Sequence, residues 1–326
     1  MSEEKIQSIS RNHWILILLV LFIFILVTRS PVSHTGSDPR SSLLLSQVLI
    51  EDQSIKLDKY KDENYGVIHK KNEHYYYYLP IGTSISSIPF VWIKTKALDN
   101  DMNNRQHDAV AQKQIAGIVA VLIFLLLYSI SSMYFTAGVS ITASFVFWMG
   151  TSLSSTLGQA LWSQDFASLY ALLAIFLMLK IVKENKNIYW IFLGLALFMA
   201  YLTRPTMSLL SITVILYIFF NHKRYIAIKT ASLVGFLLGI FVLFSLSEFN
   251  QLLPDYYLPK RLESETFWTA LYGNLFSPAR GLFIFSPILL IFFLNTKGTY
   301  KIFKDDKTLL IIAVWVVLHL IIISKF

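Results

Sequence analysis

The residue best placed to do chemistry in this chain is Asp38, which follows closely after the first long apolar stretch. It lies in the segment Arg29-Ser-Pro-Val-Ser-His-Thr-Gly-Ser-Asp38-Pro39-Arg40. A carboxylate at a membrane surface, with cations nearby, can act as a general base on a water-soluble acceptor. The Asp-Pro pair is also typical of a helix N-cap followed by proline, which predicts a short helix over 39–50 in the interface plane. The two roles are compatible, because an N-cap carboxylate stays ionised.

Two arginines lie where apolar stretches meet polar segments. Arg204 separates two apolar stretches with almost no loop, and Arg280 stands where a long polar segment gives way to the next apolar stretch. Guanidinium groups pair with phosphate oxygens through two parallel hydrogen bonds, so both residues are candidates for binding a lipid phosphate. Both could instead extend to the lipid headgroups, and the sequence leaves either interpretation open.

Other polar residues in these segments could contact a substrate, namely His34, Arg40, Tyr78, Gln164 and Asp165. For Asp165 the alternative is an acid in the first turn of a helix, stabilised by the helix dipole, and His34 could be an ordinary loop histidine. The chain has no cysteine, which excludes disulfides, thiolate catalysis and cysteine-based metal sites. We expect no cofactor and no metal site, although a divalent metal stays open.

Apolar residues dominate the composition and occur in blocks. The chain is 55% hydrophobic and only 15% charged, against about a quarter charged residues in a typical soluble domain. The blocks approach the ~20 residues that cross the ~30 Å hydrocarbon core, which predicts an all-α polytopic membrane protein. We predict about nine spans, at 12–28, 115–131, 133–150, 161–180, 188–203, 206–220, 230–246, 282–295 and 309–324.

The basic residues favour one orientation in the membrane. Three short loops, at 180–187, 221–230 and 297–307, are rich in lysine and arginine, whereas 150–160 has neither. This asymmetry predicts a cytoplasmic N-terminus in a bacterial inner membrane and two long outer loops, at 29–114 and 247–281. Because the net charge of +8 is concentrated in short loops, it does not indicate a nucleic-acid partner. We expect one transmembrane domain over 1–326, in a chain truncated at its C-terminus.

Four stretches, taken together, resemble a known family. They are Gly36-Ser-Asp38 with Leu43–Ile50, Tyr78-Leu-Pro-Ile-Gly82-Thr-Ser84, Leu202-Thr-Arg204-Pro205-Thr206 and Arg280-Gly281-Leu-Phe-Ile-Phe-Ser286-Pro287. In this order they resemble the GT-C glycosyltransferases, in the bacterial branch related to protein O-mannosyltransferases and the aminoarabinose transferase of lipid A. The chain departs from many relatives in having Pro39 where they have glutamate and Gln164 where they have histidine.

The resemblance implies a GT-C-like helical bundle whose long first outer loop contains juxtamembrane helices. It also implies an enzyme that transfers a sugar from a polyprenyl-phosphate carrier to a glycan, lipid or protein acceptor on the outer face. Asp38 would be the catalytic carboxylate of an inverting displacement, and Arg204 and Arg280 would stabilise the departing lipid phosphate. A phosphate leaves readily enough that the chemistry does not strictly require a metal.

Two alternatives to a transferase are open. A transporter or lipid-linked-sugar translocase would place polar or broken segments near the bilayer midplane, often in repeated halves. Here the ionisable groups lie at the span ends and no internal repeat is evident, which favours chemistry at one face. A scaffold or O-antigen-polymerase-like protein would carry its large loop late in the chain, whereas here a long loop comes first.

Overall fold

The structure is a computed structural model that describes residues 3–31, 36–60, 67–259, 266–279 and 281–325. It is mostly helical, which confirms the predicted all-α class. The helices are α1 Glu3–Thr28, α2 Ser42–Glu51, α3 Gly82–Leu98, α4 Arg105–Ser131, α5 Ala137–Met149, α6 Leu153–Thr156, α7 Ser163–Glu184, α8 Trp190–Thr203, α9 Ser208–Asn221, α10 Arg224–Phe249, α11 Phe267–Phe276, α12 Leu282–Phe285, α13 Ile291–Leu294, α14 Thr296–Asp305 and α15 Lys307–Ile323.

Four of these helices are long and apolar enough to cross a membrane, namely α1, α4, α7 and α10. The pair α14–α15 would make a fifth span, although its two helices meet at an angle of 115°. The apolar segments Asn187–Thr203 and Pro205–Asn221 are shorter. The polytopic helical architecture is therefore confirmed, whereas the count of nine spans is not.

The predicted span at 282–295 is not one helix. It is broken into α12, a 3-10 turn at Pro287–Leu290 and α13. Pro287 has no backbone N–H to continue the hydrogen-bond ladder, and Ser286 leaves the helical conformation with φ −138°. The hydroxyl of Ser286 instead accepts the N–H of Ser152 at 3.1 Å. The prediction of one continuous helix over 282–295 was wrong, because a hydropathy pattern does not show that Pro287 interrupts the helix.

The helix α7 runs through the core of the bundle. Its small residues Ala167, Ala171 and Ala174 are buried and allow α8 to approach closely. One side of α7 packs with α8 and α9, and the other packs with α4, which in turn packs with α1. By contrast, large apolar side chains on α10, such as Phe236 and Leu243, are exposed. These exposed faces fit a surrounding lipid phase.

The three lysine-rich loops meet at one end of the bundle. Lys183 pairs with Asp306 at 2.6 Å, which joins the first of these loops to the third. His222 and Asn187 lie 3.5 Å apart, which joins the first to the second. Ser163, where α7 begins, stands at the opposite end. The grouping of the basic loops agrees with the predicted topology, and the cytoplasmic position of the N-terminus stays a prediction.

The described residues between α1 and α4 form a compact layer over the other end. Helix α2 begins at Ser42 rather than at Pro39, and it is buried by protein along Ser42–Val48, which corrects the predicted surface helix over 39–50. A hairpin of two antiparallel strands follows, β1 Ile68–Lys71 and β2 His74–Tyr77, which the sequence did not lead us to predict. Helix α3 then packs on α2, and Gly82 at its start lies against the backbone of Leu202 and Thr203.

Candidate active site

Asp38 lies in a tight turn and is almost buried, with 8% of its surface exposed. Its Oδ2 accepts a short hydrogen bond from the hydroxyl of Ser163, and its Oδ1 lies 3.5 Å from Ser37 Oγ. Ser37 and Ser41 both adopt positive φ, at 54° and 64°, so strained residues bracket the turn. Ser41 occupies the position before α2, which shows that Asp38 is not the N-cap predicted for that helix.

Arg204 stands at the C-terminus of α8 and points toward Asp38. The following Pro205 disfavours a helical conformation at position 204, and the residue is extended, with φ −148° and ψ 116°. Its Nε donates to Ser163 Oγ at 3.3 Å, and its Nη2 donates to Gln164 Oε1 at 3.0 Å. Nη2 lies 3.8 Å from Asp38 Oδ2. The carboxylate of Asp38 and the guanidinium of Arg204, both chosen from sequence, therefore lie close together.

The first turn of α7 supplies the residues between these two charges. Ser163 is buried and links Asp38 to Arg204, and Gln164 holds the other arm of the guanidinium. Asp165 is buried, and its Oδ2 accepts the backbone N–H of Trp162 at 3.0 Å. It therefore closes the first turn of α7, and its contact with substrate stays a prediction.

Two further side chains hold the backbone on either side of Asp38. The Tyr77 hydroxyl donates to the Asp38 carbonyl at 2.6 Å, and Gln112 Nε2 donates to the Pro39 carbonyl at 3.1 Å. Burial raises the pKa of Tyr77 well above 10, and the negative charge of Asp38 adds to the effect. The phenol consequently stays a donor at any ordinary assay pH. Sequence reasoning missed Tyr77 and Gln112.

A cleft of about 530 Å³ opens beside this turn. Tyr78 forms one wall and stacks on His69 with ring centroids 4.4 Å apart. Arg40 lines the same cleft, as does Ser37, which neighbours Asp38. Two residues predicted to contact substrate, Arg40 and Tyr78, are thus together. The full lining is Gly36, Ser37, Arg40, Val67, His69, Tyr78 and Leu79.

Two of the residues proposed from sequence, His34 and Arg280, lie outside the described residues. Sequence reasoning also overlooked His319, which lies in α15 against the backbone of Thr206. A lone ionisable residue in an apolar helix was the signal that could have identified it. Within the described ranges, no three histidine, aspartate or glutamate side chains converge as metal ligands.

One comparison with known proteins gives a match. Residues 106–247 match the family model described as dolichyl-phosphate-mannose-protein mannosyltransferase, a family of the GT-C superfamily. The matched range includes Ser163, Gln164 and Arg204, whereas Asp38 precedes it. Neither a curated protein nor a solved structure matches the chain. The resemblance to GT-C glycosyltransferases is confirmed, and it supports a membrane glycosyltransferase of the GT-C type.

Proposed function

We propose that this chain transfers a sugar from a polyprenyl-phosphate donor to a hydroxyl-bearing acceptor on the outer face of the membrane. The observation that carries the proposal is the meeting of Asp38, Ser163 and Arg204 at one end of the bundle. A nearly buried carboxylate and a guanidinium, joined through one hydroxyl, provide a proton acceptor and an anion site a few ångströms apart.

The chemistry is a single inverting displacement. Asp38 accepts the proton of the acceptor hydroxyl while the acceptor oxygen bonds to the anomeric carbon. The bond between that carbon and the phosphate oxygen breaks on the opposite side, and its electron pair leaves with the polyprenyl phosphate. Arg204 stabilises the charge that develops on the leaving phosphate. The hydroxyl of Ser163 holds the carboxylate and the guanidinium in fixed positions relative to each other.

The acceptor reaches Asp38 through the cleft that Ser37 lines. There the aromatic face of Tyr78 and the cation of Arg40 contact a glycan, lipid or protein acceptor. The donor approaches from the lipid phase. An apolar groove of about 410 Å³ begins beside the turn of Arg204, and we assign it to the prenyl chain. Its lining is Tyr201, Ser208, Ser211, Ile212, Ile215, Leu216, Val234 and Leu238.

The site belongs on the non-cytoplasmic side in this proposal. The lysine-rich loops gather at the end of the bundle opposite Ser163, and such loops favour the cytoplasm. In this orientation the N-terminus lies in the cytoplasm. The membrane we assign is a bacterial inner membrane. It also places the acid and the cleft where water-soluble acceptors of the cell envelope are available.

The test is sugar transfer in washed membranes that retain their own acceptor. Labelled polyprenyl-phosphate-mannose serves as the first donor, and other polyprenyl-phosphate sugars follow. Asp38→Asn keeps the shape of the side chain but removes the base, so transfer falls about 100-fold or more. Asp52→Asn is the matched control, because Asp52 is a carboxylate of the same loop that pairs with Lys59 at the surface.

Full transfer by Asp38→Asn, at wild-type abundance in the membrane, would show that Asp38 is not the base. A second measurement uses proteoliposomes that contain the donor but no acceptor. Movement of the donor across the bilayer under these conditions would support a translocase in place of a transferase.

A further inference from the structure

His319 is an ionisable residue in helix α15, which is apolar after Lys307 and Thr308 in its first turn. Ionisable side chains in membrane spans are costly and usually have a function. The imidazole packs against Trp315, one turn earlier, with ring centroids 5.8 Å apart. Helix α15 packs on α9 and on the 3-10 turn Pro205–Met207, which directly follows Arg204. His319 therefore stands at the end of the bundle that holds the site.

The contacts of the ring leave one nitrogen unused. The imidazole lies against the backbone of Thr206, within reach of the positive charge of Arg204. Nδ1 is buried and finds no hydrogen-bond partner among the described residues. The indole Nε1 of Trp315 is likewise buried without a partner in the described part of the chain.

Unpartnered buried polar atoms need a physical explanation. A buried donor or acceptor that makes no hydrogen bond has lost its water without compensation, and here two such nitrogens lie one turn apart on one helix. A histidine that serves only to fill the core would be expected to have both ring nitrogens hydrogen-bonded. If neither nitrogen were needed, an apolar residue of similar size could fill the same space without loss of stability. An arriving ligand with oxygen acceptors would satisfy both nitrogens.

We infer that His319 binds the phosphate group of the lipid-linked donor together with Arg204. The inference rests on the proposed function, because the prenyl phosphate is the substrate assigned there. In the tautomer that carries its proton on Nδ1, the neutral imidazole is a donor to a phosphate oxygen. The guanidinium of Arg204 meets the same phosphate from the other side, as guanidinium groups commonly do.

The test separates the phosphate from the prenyl chain. Farnesyl phosphate and farnesol are titrated against the purified protein in detergent, and the ratio of their affinities measures the contribution of the phosphate. His319→Phe keeps an aromatic ring against Trp315 but removes both nitrogens. We expect this variant to lose about 10-fold of the preference for farnesyl phosphate, the size of one charged hydrogen bond, with farnesol affinity unchanged. His222→Phe, at the opposite end of the bundle, is the control.

An unchanged ratio in His319→Phe would overturn the inference, as would an equal loss of both ligands. His319→Gln is the second variant, in case His319→Phe does not fold. Its amide takes the place of Nε2 and leaves the position of Nδ1 without a donor, so we expect a loss of preference here as well, and a wild-type ratio would again overturn the inference. The assay contains no sugar and no acceptor, so its result is independent of whether Asp38 acts as a base.

Discussion

The guanidinium of Arg204 lies 3.8 Å from the carboxylate of Asp38, although one residue ends α8 and the other belongs to the segment between α1 and α2. Each charge is shielded from water, because only 11% of the Asp38 side chain and 31% of the Arg204 side chain are exposed. Removing one partner from such a pair leaves the other poorly compensated. Ser163 lies between them, so the geometry of the pair depends on a neutral hydroxyl.

Ser163→Ala is expected to lower kcat about 10-fold. The substitution removes the hydrogen bond to Asp38 and the acceptor for Arg204 Nε, each worth about 1–2 kcal/mol in a charged pair. The measurement is the initial rate of sugar transfer at saturating donor. Ser155→Ala is the control, because its hydroxyl is exposed and bonds to the nearby Ser152 carbonyl. Wild-type kcat in Ser163→Ala would mean that the hydroxyl has no part in holding the pair.

Arg204→Lys is expected to behave almost like Arg204→Gln. A lysine ammonium carries the charge but cannot make the separate Nε and Nη2 hydrogen bonds to Ser163 and Gln164. We expect kcat/KM for the donor to fall about 100-fold in both variants, which corresponds to ~2.7 kcal/mol of transition-state stabilisation. Arg224→Lys, at the lysine-rich end, should keep full activity. Full activity in Arg204→Lys would reduce the role of Arg204 to charge alone.

The two charged residues of the site can be found from the sequence for a physical reason. Charge at the edge of an apolar span is expensive, so Asp38 and Arg204 stand out from the amino-acid order alone. Ser163 does not stand out, because hydroxyls in helices often bond to their own backbone, as Ser129 and Thr203 do here. Only the tertiary contact distinguishes Ser163 from these others.

The fold is predictable in class but not in several details. Apolar blocks locate the helices, yet they do not give helix length, and α8 and α9 are each 14 residues long. The Asp38-Pro39 pair has the composition of a helix start, but the positive φ of Ser41 delays α2 to Ser42. The tyrosines of β2 lie in a strand that pairs with β1, and no strand was predicted there from the sequence. Strand pairing depends on a partner that local sequence does not specify.

Leu238→Trp is expected to raise the donor KM for long prenyl chains. Leu238 lines the groove assigned to the prenyl chain, and the larger indole would fill part of its volume of about 410 Å³. Donors with a short prenyl chain should be much less affected, because they occupy less of the groove. Leu243→Trp is the matched control, since Leu243 is an exposed residue of the same helix. Equal effects on short and long donors would place the prenyl chain elsewhere.

Gly82→Ala is expected to destabilise the protein by about 1–3 kcal/mol and to slow sugar transfer. A Cβ at this position would lie 2.5 Å from the carbonyl carbon of Leu202 and the nitrogen of Thr203, so α3 and the turn that carries Arg204 must separate. Gly138→Ala is the matched control in the first turn of α5, where a Cβ meets no atom within 4 Å. Thermal unfolding in detergent and the rate of transfer are measured for both variants. If the two variants unfold at the same temperature and transfer sugar at the same rate, the close approach of α3 to Leu202 and Thr203 does not support the site. A loss confined to Gly82→Ala would show that the contact of α3 with the backbone of Leu202 and Thr203 sets the position of the guanidinium.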